Sequence, residues 1–154
     1  MAYQDEYKNC VWMDFETLER FMKDALVCFG VPRADAEIVG DVLIESDKRG
    51  IDSHGIGRLK PIYLDRIDDG IQNPVTKIDI IKETETTAVL DGNNGIGHVV
   101  SKKAMQMAID KAKAHGMGMT VVRNSTHYGI AGYYSLMAIK AGMIGMTGTN
   151  ARPS

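Results

Sequence analysis

Three short segments carry residue types that could do chemistry, and each has a plain structural explanation beside the chemical one. The first is Asp52-Ser53-His54-Gly55-Ile56-Gly57-Arg58. If Ser53 caps a helix, His54 and Arg58 fall four residues apart on one face, setting a titratable imidazole beside a fixed guanidinium. That pair suits a hydroxy or keto acid: the arginine can clamp a carboxylate bidentately while the histidine exchanges a proton with the neighbouring oxygen. The same residues also make an ordinary capped helix with a solvated polar face. The second segment, Arg123-Asn124-Ser125-Thr126-His127-Tyr128-Gly129, follows a run that reads as a parallel strand. Ligands of open α/β sheets bind at such strand ends, although an N-cap cluster for the next helix explains these side chains as well. Ser125 near His127 lacks a GxSxG elbow, which argues against acyl transfer.

The third segment, Asp91-Gly92-Asn93-Asn94-Gly95-Ile96-Gly97-His98, invites comparison with the dinucleotide fingerprint GxGxxG. The comparison fails, because Val100 stands at the third glycine position and the following strand ends on Arg123-Asn124 instead of an acid. A tight glycine turn that fixes a helix start is the bland reading, and an anion at that helix N-terminus is the other. His98 and His115 read as helix-end residues, with His115 beside Gly116 at the negative end of the dipole. The four histidines show no HxxxH or HExxH spacing and no carboxylates cluster with them, so no metal site is expected.

The elements that must position these groups follow from periodicity. Phe15, Leu18, Met22, Ala25, Leu26 and Phe29 recur at helical spacing after an Asp14 N-cap, and Gly30-Val31-Pro32 stops that helix. A second helix is predicted from about Ala34 to Lys48 with Gly50 as terminator, and a third from about Ser53 to Gly70. After Gln72-Asn73-Pro74 the period changes to two at Ile78 and Ile80, and Thr86 to Leu90 gives a second strand. A helix from about His98 to His115, a strand Met119 to Arg123, a helix from about Gly129 to Ala141 and a strand Met143 to Thr149 complete the pattern. The fold class is therefore α/β: a helical region at residues 1–77, then the first part of an α/β domain at 78–154 with β-α-β-α-β order and a sheet containing parallel neighbours. Ending on Asn150 to Ser154, directly after a strand and without a closing helix, predicts one part of a longer protein.

Composition bounds the partners. The 154 residues include 18 basic and 20 acidic side chains, a formal charge of −2, which implies no grip on nucleic acid. Met1 to Cys10 holds Asp5 and Glu6 and no apolar leader, and no run reaches membrane-spanning length, so a cytoplasmic protein without a membrane partner is expected. Cys10 and Cys28 match neither a redox pair nor a zinc site and read as buried thiols in a reducing compartment. The ten methionines read as core fillers.

Taken together and in order, Ser53-His54-Gly55-Ile56-Gly57-Arg58-Leu59, Asp91-Gly92 with Asn94-Gly95-Ile96-Gly97, Asn124-Ser125-Thr126-His127-Tyr128-Gly129, and Thr149-Asn150 with Pro153 resemble the malate/L-lactate dehydrogenase family, from about Phe15 to Ser154. That group also holds ureidoglycolate, sulfolactate and diketogulonate oxidoreductases. The resemblance implies a non-Rossmann fold roughly twice this long, NAD or NADP as cofactor, a small 2-hydroxy or 2-keto acid such as malate or L-lactate as substrate, and a homodimer. It also implies site residues. His54 is the proton donor or acceptor with Ser53 beside it, Arg58 holds the substrate carboxylate, and Ser125 belongs to the substrate site. His127 lies near nicotinamide and substrate, and is the catalytic base assigned in some members. Thr149 and Asn150 contact the cofactor. Between Arg58 and Gly70 this chain is one residue longer than many relatives, with Pro61 in that stretch, and Tyr63 is matched to the family's substrate tyrosine across that difference. The rival from another class is a non-catalytic module holding a small anion on the Asn124 to Gly129 loop.

Overall fold

The computed structural model describes residues 11–150. Helix α1 (Phe15–Cys28) starts where Asp14 accepts the Thr17 backbone N–H at 2.8 Å, and buries Met22 and Leu26. Helix α2 (Arg33–Lys48) begins just after Pro32, buries Val39, Val42, Leu43 and Ile44, and packs along α1. Both helices stand where the apolar spacing puts them.

The stretch expected to form a third helix does not form one continuous α-helix. It runs as two 3₁₀ turns (Asp52–His54 and Ile56–Arg58), a π-helical turn (Leu59–Leu64) and a single α-turn, α3 (Asp65–Asp68). Gly55 and Gly57 carry no side chain to stabilise a regular helix, and Pro61 lacks the N–H that an α-helical bond requires. His54 and Arg58 consequently do not share an α-helical face.

Strand β1 (Asp79–Glu83) pairs antiparallel with β2 (Thr87–Asp91), with a register shift between Ile80 and Lys82. Helix α4 (Gly97–His115) ends where the sequence places its last residue, on a left-handed Gly116 cap at φ 85°. It returns the chain to β3 (Met119–Arg123), which pairs parallel with β2 in a sheet of order β1-β2-β3. Helix α5 (Ala131–Lys140) follows. Helices followed by a mixed sheet is thus the architecture. The strand expected at Met143 to Thr149 is absent: the segment finds no ladder partner among the described residues, and Ile144 is 98% exposed. Gly142, Gly145 and Gly148 weaken any strand there, and apolar alternation without a neighbour to pair with makes no sheet.

One apolar cluster joins Met22, Leu26, Val39, Leu43 and Ile44 of the first two helices to Leu59 and Tyr63 of the π-turn, and to Ile96 and Val99 at the start of α4. Each such side chain contributes about 1.5–3 kcal/mol on burial. A smaller cluster holds Ala88, Leu90 and Ala104 between sheet and helix. Cys28 corrects the sequence reading, since its thiol is exposed; it lies two residues beyond Leu26, about 200° around the helix from the buried stripe. Cys10 and Pro153 lie outside the described residues.

The glycine-rich turn after β2 is a structural joint. Asp91 accepts hydrogen bonds from the Asn93 backbone N–H at 2.9 Å, Asn124 Nδ2 at 2.9 Å and Arg123 Nε at 2.8 Å, which hold its carboxyl below the usual carboxylate range. Asn93, Asn94 and Asn124 take left-handed conformations at φ 48°, 54° and 51°. The Thr126 hydroxyl accepts the Gly97 N–H at 3.0 Å and lies 2.8 Å from Gln72 Oε1 and 2.9 Å from the Gly95 carbonyl. A Cβ on Gly97 would stand 2.3 Å from the Thr126 carbonyl oxygen and 2.4 Å from that of His127. Glycine is required there because two backbone segments touch. Gly97→Ala is therefore expected to lower the free energy of unfolding by about 2–4 kcal/mol, measured by urea denaturation. A loss below about 0.5 kcal/mol, the size of an ordinary surface change, would mean that the contact yields freely.

Candidate active site

Tyr63 is fully buried, and a phenol without water must find partners inside the protein. It finds two imidazoles from distant parts of the chain. Its hydroxyl lies 2.6 Å from His127 Nδ1 and 3.2 Å from His98 Nε2. The π-turn brings Tyr63 inward, the first turn of α4 supplies His98, and the loop after β3 supplies His127. Gly129, at φ 74°, lets this arrangement close: a Cβ there would stand 2.4 Å from His98 Nε2. Its backbone N–H also reaches His127 Nδ1 at 3.3 Å.

His54 completes the group from the other side. Its ring stacks on that of His127, with centroids 5.5 Å apart and planes inclined by 25°. His54 Nδ1 lies 2.9 Å from Ser53 Oγ. Arg58 Nε donates to the Ser53 carbonyl at 2.5 Å, folding the guanidinium back over the 3₁₀ turn. Asp47 anchors this turn from α2 by accepting the Ile56 N–H at 2.9 Å, and burial raises its carboxyl above the ordinary range. A Cβ on Gly55 would stand 1.7 Å from Asp47 Oδ1, so the anchor fits only glycine.

The electrostatics favour an anion. Arg66 and Arg58 both act on His127 and Tyr63 through charge, each disfavouring added positive charge at the imidazole and favouring loss of the phenol proton. Burial outweighs them at Tyr63 and holds its proton firmly. At His127, burial first and then His54, Arg66 and Arg58 lower the pKa to about 4. At fully buried His98, burial first and the neighbouring histidines next lower it to about 3. Both are neutral imidazoles at pH 7.

Of the residues singled out from the sequence, His54, His127, Tyr63, Ser53 and Arg58 come together. Ser125 is exposed, its hydroxyl 3.5 Å from the Thr126 carbonyl. Thr149 and Asn150 are exposed, with Thr149 Oγ1 3.4 Å from the Asn150 carbonyl, and among the described residues neither bonds to the histidine group. Two members escaped the sequence reading. From the sequence His98 reads as a helix-end residue, and Arg66 is one position within the predicted third helix. Helical spacing could have linked Arg66 to Tyr63, three residues earlier; for His98 the one local signal was a histidine in the first turn of a helix, where its charged form is disfavoured.

The buried imidazoles make stability depend on pH. Their folded pKa values lie below the ordinary 6.5, so between pH 6.5 and about 3 the unfolded chain binds more protons, and stability falls as pH is lowered through that window. His98 accounts for up to about 2 kcal/mol of the loss between pH 7.5 and 5. His98→Gln, which does not titrate, is expected to flatten the fall by that amount in urea unfolding at the two pH values. Equal losses in both proteins would show that His98 carries no such linkage.

The chain is similar to several known proteins. The chain is 50% identical over 152 residues to a malate dehydrogenase of Pyrococcus abyssi, a match covering 99% of this chain and 41% of that protein. It is 48% identical over 139 residues to an L-sulfolactate dehydrogenase of Methanocaldococcus jannaschii, covering 90% of this chain and 40% of the relative. A crystal structure of malate dehydrogenase from Entamoeba histolytica superposes with a TM-score of 0.83 at 55% identity, over 84% of this chain and 36% of that one. The chain thus spans about two fifths of the length of these relatives. The family described as malate/L-lactate dehydrogenase matches residues 13–154, and with this fold, these identities and the clustered histidines the chain belongs to that family.

Proposed function

We propose that this chain forms the N-terminal part of an NAD(P)-dependent oxidoreductase that interconverts a small 2-hydroxy acid, malate or L-lactate, with its 2-keto acid. The observation carrying this reading is the 5.5 Å stack of His54 on His127 beside the arginines. Two rings so placed can both reach one oxygen at their shared edge. Arg58 suits the carboxylate: its Nε is held by the Ser53 carbonyl, and among the described residues its terminal nitrogens make no ion pair. Arg66 adds positive potential beside the same oxygen.

A nicotinamide cofactor, when bound, supplies the acceptor for the hydride that leaves C2 of the hydroxy acid. The residues present fit such a group, because a ring that becomes cationic would be repelled by an imidazolium, and burial keeps His127 neutral down to about pH 4. His127, Thr149 and Asn150 are the residues we assign to holding it. Exposed hydroxyl and carboxamide groups at the last two suit sugar and amide partners.

The work of this chain's own residues is proton handling and orientation. His54, in the tautomer whose Nδ1–H donates to Ser53 Oγ 2.9 Å away, keeps a lone pair on Nε2 that takes the substrate hydroxyl proton as the carbonyl forms. His127 meets the same oxygen. Ser125 and Tyr63 belong to the substrate side of the site, Tyr63 through its bond to His127. In the reverse direction the same proton returns from His54 to the carbonyl oxygen. The reading extends to a homodimer, as the family resemblance implies, in the cytoplasm and without membrane or nucleic-acid partners, the formal charge of −2 offering no grip on a phosphate backbone.

In the complete protein, His54→Ala is expected to lower kcat and kcat/KM together by about 10²–10⁴ in steady-state oxidation of malate or lactate. Arg58→Ala is expected to raise KM for the hydroxy acid, with Arg58→Lys recovering only part because it lacks the bidentate fork. Undiminished kcat in a folded His54→Ala protein would remove His54 from the reaction. Tight NADH binding without turnover of either acid by the complete protein would favour the anion-binding module.

A further inference from the structure

We propose that His98 is a positioning residue which, through Tyr63, fixes the hydrogen of His127 on Nε2 and so makes His127 a permanent hydrogen-bond donor to the substrate oxygen. This rests on the reading that His127 meets that oxygen.

The direction of every bond in the group follows from one donor that cannot reverse. The Gly129 backbone N–H, 3.3 Å from His127 Nδ1, only donates. His127 Nδ1 must therefore accept, and its hydrogen sits on Nε2. The Tyr63 hydroxyl, 2.6 Å from the same Nδ1, must then donate to it. That leaves the Tyr63 oxygen to accept, so His98, 3.2 Å away, must present Nε2–H. A neutral imidazole has one N–H, and His98 Nδ1 is accordingly a bare lone pair. Among the described residues, Nδ1 of His98 is indeed buried without a partner. An unpaired buried acceptor is the more tolerable orphan; the opposite tautomer would strand an N–H donor there. Burial keeps both imidazoles neutral, which preserves the sequence His98 Nε2–H to Tyr63 O–H to His127 Nδ1.

The consequence divides the labour between the two facing histidines. His127 Nε2–H makes no hydrogen bond to the described residues and is available to the substrate. Its hydrogen stays in place throughout, stabilising negative charge that develops on the oxygen. Because that nitrogen already carries hydrogen, the substrate proton passes to His54 Nε2. Without His98, the Tyr63 oxygen can accept instead, and the Nδ1–H form of His127 becomes accessible.

The test is the tautomer itself. With ¹⁵N-histidine in the complete protein, two-bond ¹H–¹⁵N correlation spectra at neutral pH report which nitrogen of His127 is protonated. The Nε2–H form is expected in the wild type and in His98→Gln, whose carboxamide can still donate to Tyr63. His98→Leu is expected to show a measurable share of Nδ1–H and at least about a tenfold loss of kcat with little change in KM, and His98→Gln to recover most of that loss. Nδ1–H in the wild type overturns the proposal whether or not any variant folds. So does a folded His98→Leu protein with the wild-type tautomer. A His127→Ala protein with undiminished turnover would instead remove His127 from the reaction while leaving the tautomer assignment standing, which separates the two failures.

Discussion

A phenol hydroxyl cut off from water organises this molecule. Tyr63 is fully buried in the cluster that joins the first helices to the start of α4, and among the described residues its oxygen is met by imidazoles 35 and 64 residues further along the chain. That requirement couples three elements, the π-turn, the first turn of α4 and the loop after β3. A buried polar network costs heavily when any member is lost, because each deletion leaves another group unpaired. The helical region and the sheet are thereby tied together at the place where the three histidines cluster.

Backbone contacts at glycines make this closeness possible. Gly97 lets α4 approach the carbonyls of Thr126 and His127, Gly129 admits the His98 ring, and Gly55 sits on the Asp47 carboxylate beneath His54. The sheet contributes differently. Asp91, at the end of β2, ties Asn93 to Asn124 and Arg123, so the loop bearing His127 leaves β3 in a fixed direction. Rigid strand ends thus aim a histidine, while a helix start backs it with a second one.

Much of the fold was legible because regular elements announce themselves through spacing. The Asp14 cap, helix α2, the end of α4 at His115 and the β3 run all stand as read. The failures have specific causes. Residues 53–69 hold two glycines and a proline within a helical pattern, and the chain resolves that conflict by 3₁₀ and π turns. Residues 143–149 have strand-like apolar character, but a strand exists only when paired. Cys28 was judged by residue type, whereas its angle around α1 decides its exposure.

The sequence by itself determined the family to which the chain belongs, and it singled out His54, Arg58 and His127 as residues in motifs whose types suit a hydroxy acid. It could not determine that His98 stands behind them, because a histidine in the first turn of a helix looks the same in sequence whether it meets water or a buried phenol. Nor could it decide the tautomer of His127, which depends on the orientation of one backbone N–H from Gly129. Periodicity reports what a residue does within its own element. Hydrogen-bond direction between elements is set only when packing excludes water and leaves each donor a single acceptor.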